Sequence, residues 1–214
     1  MAVQADSKLN QKVSKMSTTV KEKAGEFQQV SVGIFPAICY SVIDIGAQDG
    51  PFGIKEQLVI SFEFPTEQIM IDGKNQPMIM SAFYGATLGK KARLKSDLEG
   101  WRGRSFTADE LNGFELKNVI GKACTITTFS NEDGKTRIKA IGPAMKGQDH
   151  KQHNESVWFD LDVHGVNSPD FQRVPEWLRK MIDSRIITKI EPQQFDERNP
   201  PPIDDFDDLD SVPF

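Results

Sequence analysis

Through the middle of the chain, short stretches rich in β-branched and aromatic residues are separated by loop and turn residues, and the clearest of them alternate apolar with polar positions, the period of β-strands rather than of helices. From Val30 to Ile45 the run VSVGIFPAICYSVIDI is rich in β-branched and aromatic residues and predicts a first long strand, bent at Gly33 and Pro36. Gly46 to Gly53 reads as a loop. Lys55 to Phe64 (KEQLVISFEF) and Pro77 to Tyr84 (PMIMSAFY) predict a second and a third strand, with Asp72-Gly73 supplying hairpin chemistry between them. Ala123 to Phe129 (ACTITTF) and Thr136 to Ile141 (TRIKAI) predict two more, joined by a glycine-containing loop over 131–135.

Between the third and fourth strands the period changes. Leu94 and Leu98 are four apart, with Lys91, Lys95 and Glu99 on another face, which predicts a short helix ending at Gly100. Thr107-Ala-Asp-Glu110 matches a capping box, opening a helical turn that Gly113 closes. Past the hydrophilic GQDHKQHNE, Trp158 to Val163 predicts a short extended segment, and PEWLRKMIDS a helix that packs back on the strands. Five strands with a helical insertion after the third is the count of an OB-fold barrel, so the expected class is mainly β: a five-stranded OB barrel with a C-terminal helix. The expected organisation is a disordered polar arm over 1–28, this domain over 29–192 and a disordered acidic tail over 193–214.

Charge changes the picture more than its total suggests. The formal net charge is −5, yet seven acidic residues between Phe195 and Phe214 face Arg198 alone. From Gly85 to Lys146, by contrast, twelve basic residues stand against seven acidic. An acidic whole therefore carries a basic middle, compatible with a nucleic-acid partner. No long apolar run or secretory leader pattern is visible, which points to a soluble cytoplasmic protein with no membrane partner. Cys39 and Cys124 fall in predicted strands and read as buried free thiols. His150-x-x-His153 is too isolated for a metal site, and nothing in the sequence calls for a metal or cofactor. A phosphate loop, a nucleophile elbow and a Cys/His pair are all missing, so the reading is of a binder and not an enzyme.

In residues 89–106, GKKARLKSDLEGWRGRSF, Lys90, Lys91, Arg93, Lys95, Arg102 and Arg104 are interleaved with Trp101 and Phe106. Single-strand binding needs both kinds of side chain: cations to track phosphates and aromatic faces for bases to stack on. For Trp101 and Phe106 taken alone, core packing beside a solvated basic helix is the favoured reading, with stacking as the alternative. Arg137 and Lys139 alternate with apolar residues and should share one strand face, with Lys135 beside them in the loop. Phe83, Tyr84 and Phe129, near strand ends, are further candidates for stacking or for the core.

The last eleven residues, DDFDDLDSVPF, closely resemble the C-terminal tip of bacterial single-stranded DNA-binding proteins, in which an aspartate-rich run precedes a proline and a final phenylalanine. Ser211-Val212 stands where aspartate and isoleucine are more usual. The resemblance implies docking of replication and repair proteins through Asp204, Asp205, Phe206, Asp207, Asp208, Asp210, Pro213 and Phe214. A pocket for the Phe214 ring with a cation for the carboxylate is the physical counterpart. The stretch from residue 33 to 146, above all KARLKSDLEGWRGRSFTADEL, is similar to a family of small replication-associated proteins of tailed bacteriophages, which implies an OB-fold that coats single-stranded DNA during replication, recombination and repair, in the host cytoplasm. Strand annealing and occupation of a host enzyme's tail pocket are alternative roles. Homo-oligomerisation, binding-site size, and DNA versus RNA stay open.

Overall fold

A computed structural model describes residues 28–50, 53–147 and 149–186. The expectations for the N-terminal arm up to residue 27 and for the acidic tail lie outside the described residues. The strands are β1 (Ile34–Gln48), β2 (Lys55–Ile71), β3 (Lys74–Gly85), β4 (Ala123–Ser130), β5 (Thr136–Pro143) and β6 (Val157–Phe159). The helices are α1 (Arg93–Arg102), α2 (Ala108–Asn112), α3 (Leu161–His164), α4 (Pro169–Arg173) and α5 (Glu176–Asp183), with a 3-10 turn over Leu116–Val119.

The fold is mainly β. One sheet runs β3-β2-β1-β4-β5 with antiparallel neighbours, and β6 adds a sixth strand parallel to β1 through Ser41 to Ile43. Five strands were expected, closed into a barrel; the sheet has six and stays open, with β3 and β5 as the two ends of its hydrogen-bonded path. The sixth strand falls where the sequence predicts a short extended segment from Trp158, but only Val157–Phe159 is extended and joins the sheet, and Leu161–His164 is helical instead, behind the Asp160 cap. Strand β1 serves three partners along its length: Ile34 to Ile38 pairs with β4, Ser41 to Ile43 with β6, and Ile38 to Gln48 with β2. Irregularities between Cys39 and Ser41 and between Asp44 and Gly46 supply the bend that this requires.

The β2–β3 hairpin extends further than its apolar pattern suggests, to Ile71 and Lys74, because Asp72 (φ 49°) and Gly73 (φ 75°) both take the positive φ that a tight two-residue turn demands. Gly100 does not end α1. It lies inside the helix because a Cβ there would meet the Ile141 carbonyl oxygen at 2.6 Å, so α1 can approach β5 only through a glycine. Gly103, at φ 67°, is the actual left-handed cap.

Two cores result, one on each face of the sheet. The inner face buries Cys39, Val42, Ile60, Phe62, Phe64, Tyr84, Cys124, Ile126 and Ile141, and α1 closes over it with Leu94, Leu98 and Trp101. On the outer face Ile43, Ile45 and Val59 are covered by Phe159, Phe171, Val174, Leu178 and Ile182. Burial on both faces explains why β1 and β2 read as nearly continuous apolar runs. Leu178 and Ile182, fully buried and four apart, anchor α5 at about 1.5–3 kcal/mol each. Both cysteines are buried and free, and burial pushes the Cys39 thiol up to about 12. No helix of the described residues is long and apolar enough to cross a membrane.

Candidate nucleic-acid interface

Where the sheet stays open, β3 and β5 flank a cleft of about 340 Å³ lined by Ser81, Ala82, Phe83, Arg93, Arg137 and Ile138. Alternation turns Met78, Ala82 and Tyr84 inward and leaves Phe83 outward, 43 % exposed. On β5, Ile138 faces the core while Arg137 and Lys139 face outward. Arg137 is the register partner of Phe129 on β4, whose ring is 39 % exposed. Phe83, Arg137 and Phe129 thus form an aromatic–cation–aromatic row across three strands, although Phe83 lies far in sequence from the hairpin that carries the other two.

Arg93 borders the same cleft in a fixed pose. Its Nη2 donates to the Ile138 carbonyl at 3.0 Å, its Nε to Asp97 Oδ2 at 3.3 Å, and its guanidinium lies 5.5 Å from the Tyr84 ring centre. Lys90 and Lys91 are exposed in the loop leading into α1, and Lys135 in the β4–β5 turn. Lys95 lies against Glu99 at 4.0 Å. Cations and open rings side by side can attract phosphate and stack bases at once.

Other sequence candidates have structural employment. Trp101 is 8 % exposed; its Nε1 donates to the Ala123 carbonyl at 2.8 Å and its ring packs on Phe62. Tyr84 is buried and donates its hydroxyl to Asp97 Oδ2 at 2.9 Å. Burial first, and the Asp97 charge second, hold that phenol well above its usual range. Neither ring is a stacking platform in this fold, which corrects that part of the expectation, and Phe106 is likewise core.

Arg102 and Arg104 converge on one carboxylate. Arg102 Nη2 is paired with Glu110 Oε1, and Arg104 reaches both Glu110 oxygens, at 2.7 and 3.0 Å. The Arg102 guanidinium also lies 4.3 Å from the Phe106 ring centre. Hydrogen bonding from Arg104, then from the Thr107 backbone and Arg102, draws the Glu110 carboxyl down to about 2. The same Glu110 completes the capping box of α2 that the sequence predicts. These arginines lock the connector between β3 and β4 and do not stand free toward a ligand.

A larger cleft of about 660 Å³ has the opposite character. Asp44, Glu56, Glu115, Asp160 and Asp162 line it against Lys117 alone. Burial, with repulsion from Asp160 and Asp162 behind it, raises the Asp44 carboxyl despite hydrogen bonds from the Gly46 and Leu161 amides. Such a lining disfavours a polyanion, whereas the β3–β5 cleft carries Arg93 and Arg137 and no carboxylate among its lining residues. Among the described residues no group of three or more His, Cys, Asp or Glu side chains is placed to hold a metal ion.

One exposed aromatic went unremarked in the sequence. Trp177 on α5 is 46 % exposed and sits 6.1 Å from Phe83. The helical period alone carries the signal, because Leu178 and Ile182 define the buried stripe and leave Trp177 beside it. The tail candidates lie outside the described residues. No protein-family model matches the chain, and a search of curated proteins finds no match.

Proposed function

We propose that this chain binds single-stranded DNA without sequence specificity, during replication, recombination and repair, through the outward surface around the β3–β5 cleft. The row Phe83, Arg137 and Phe129 carries the reading, because it joins open rings to a cation that has no carboxylate partner among the described residues. On this reading the open sheet is a partly open variant of the OB fold, not a closed barrel. Support comes from β1 pairing with both β2 and β4, the order β3-β2-β1-β4-β5, and a helical connector after β3 that packs on the inner core. As a binder the protein has no chemistry to perform and needs no cofactor; it works in the cytoplasm.

Titration with a labelled oligothymidine tests this directly. Submicromolar binding, weaker affinity for duplex of the same length, and a steep fall with added salt are the expected results. Equal or tighter binding of duplex at moderate salt would sink the proposal.

The tail completes it, since DDFDDLDSVPF resembles the partner-docking tip of bacterial single-stranded DNA-binding proteins. Removing Phe214 leaves every aspartate in place, so oligothymidine affinity should stay within about twofold. Binding of a tip-recognising replication or repair protein should fall by about 2 kcal/mol or more, as for a buried aromatic anchor. Equal recovery of such a partner by the intact and shortened chains would return the tail to a merely solubilising segment.

A further inference from the structure

Helix α5 holds Trp177 where a core residue would not be left. Leu178 and Ile182 are fully buried against the outer face of the sheet, yet Trp177, their neighbour, keeps nearly half its surface in water. It is set against Phe83 with the ring planes inclined at 56°. Phe83 is the register partner of Val59, which belongs to the outer core, and it also lines the β3–β5 cleft. One ring therefore joins the cleft to the helix.

The cations of α5 are already occupied. Arg179 Nη1 donates to Gln172 Oε1 at 2.8 Å, and Lys180 pairs with Glu176 at 2.8 Å. What the helix presents beside Phe83 is an aromatic face rather than a charge.

We propose that Trp177 is a further base-stacking residue, carrying the bound strand from Phe83 onto α5, so that the segment after the sheet forms part of the nucleic-acid surface. This rests on the single-strand reading above. The two rings are close enough to serve adjacent nucleotides, and stacking tolerates any base because every base has a π-face.

The chain's three tryptophans make the test specific. Trp101 is buried, and Trp158 is half-buried with its ring 4.7 Å from His164. Oligothymidine should therefore quench emission chiefly through Trp177. The full chain, W177F and W177A are titrated by quenching and, independently, by anisotropy of a labelled oligothymidine. W177A should lose about fivefold or more in affinity, W177F should recover most of that loss, and both should lack most of the quench. The salt slope should be unchanged in both, since every phosphate-facing cation is kept.

Undiminished quenching in W177F, or affinity within about twofold in W177A while the wild-type chain binds, would overturn the inference and leave the parent reading standing. Failure of the wild-type chain to bind oligothymidine would overturn both. If thermal melting shows that W177A is unfolded, the quench of W177F decides alone.

Discussion

Replacing Arg137 and Lys139 together by glutamate is expected to weaken oligothymidine binding by about tenfold or more while leaving the fold intact. Both side chains point outward from β5. Arg137 makes one long hydrogen bond, to its neighbour's carbonyl at 3.4 Å, and no carboxylate is paired with either cation among the described residues. Their charge is free to meet phosphate. A unit charge 4 Å from a phosphate contributes about 1 kcal/mol even at the dielectric of water, and reversal counts that amount twice. Salt reduces it, so the loss should be largest in dilute buffer, and the slope of log affinity against log salt should flatten by about 0.7 for each phosphate that is no longer neutralised.

The contrasting substitution sharpens the test. Glutamates at Arg102 and Arg104 would place three like charges together at Glu110, so the expected effect is a lower melting temperature. If the β5 double variant keeps its affinity within about a factor of two while its melting curve is unchanged, the strand runs over another face.

Much of this surface is legible in the order of residues alone. Alternation in TRIKAI puts Arg137 and Lys139 on one face, and Thr107 to Glu110 announces its capping box. What a linear reading cannot supply is pairing across the sheet. Trp101, Tyr84, Phe83 and Phe129 are all aromatic residues in apolar surroundings. Only strand order shows that two of them fill the core and two border solvent. Likewise a count of cations cannot see that Glu110 occupies Arg102 and Arg104, because the pairing depends on how the connector folds back after Gly103. Trp177 differs: its exposure follows from helical period, and the signal was there to be read.

Glu63 was hidden for a related reason, and it carries the largest expected effect on stability. In KEQLVISFEF it occupies an outward position of an alternating strand, which ordinarily faces water. Here it is fully buried, because the segment after residue 149 crosses the outer face of β2. Its Oε1 accepts from the His153 amide at 2.7 Å; its Oε2 accepts from the Asn154 amide at 2.8 Å and from Asn154 Nδ2 at 2.7 Å. Gln152 Nε2, donating to the Asn154 carbonyl at 2.6 Å and Ser156 Oγ at 2.9 Å, fixes the same turn. One side chain thus ties the entrance of β6, and through it α5, to the sheet. Alanine at Glu63 would leave two main-chain donors and a side-chain amide without acceptors in a place water does not reach, at about 1–3 kcal/mol for each unsatisfied group. Glutamine keeps the shape but turns an NH2 toward donors, so it should lose less. In urea the E63A midpoint should fall by an amount equivalent to about 3 kcal/mol or more, with E63Q between it and the wild type. Limited proteolysis of E63A should cut first between residues 149 and 156, because the missing tether is local. A wild-type midpoint in E63A, with no faster cleavage there, would mean that the outer core alone holds the segment. In that case the register of Trp177 against Phe83 would depend on Leu178 and Ile182 rather than on the carboxylate beneath residues 153 and 154.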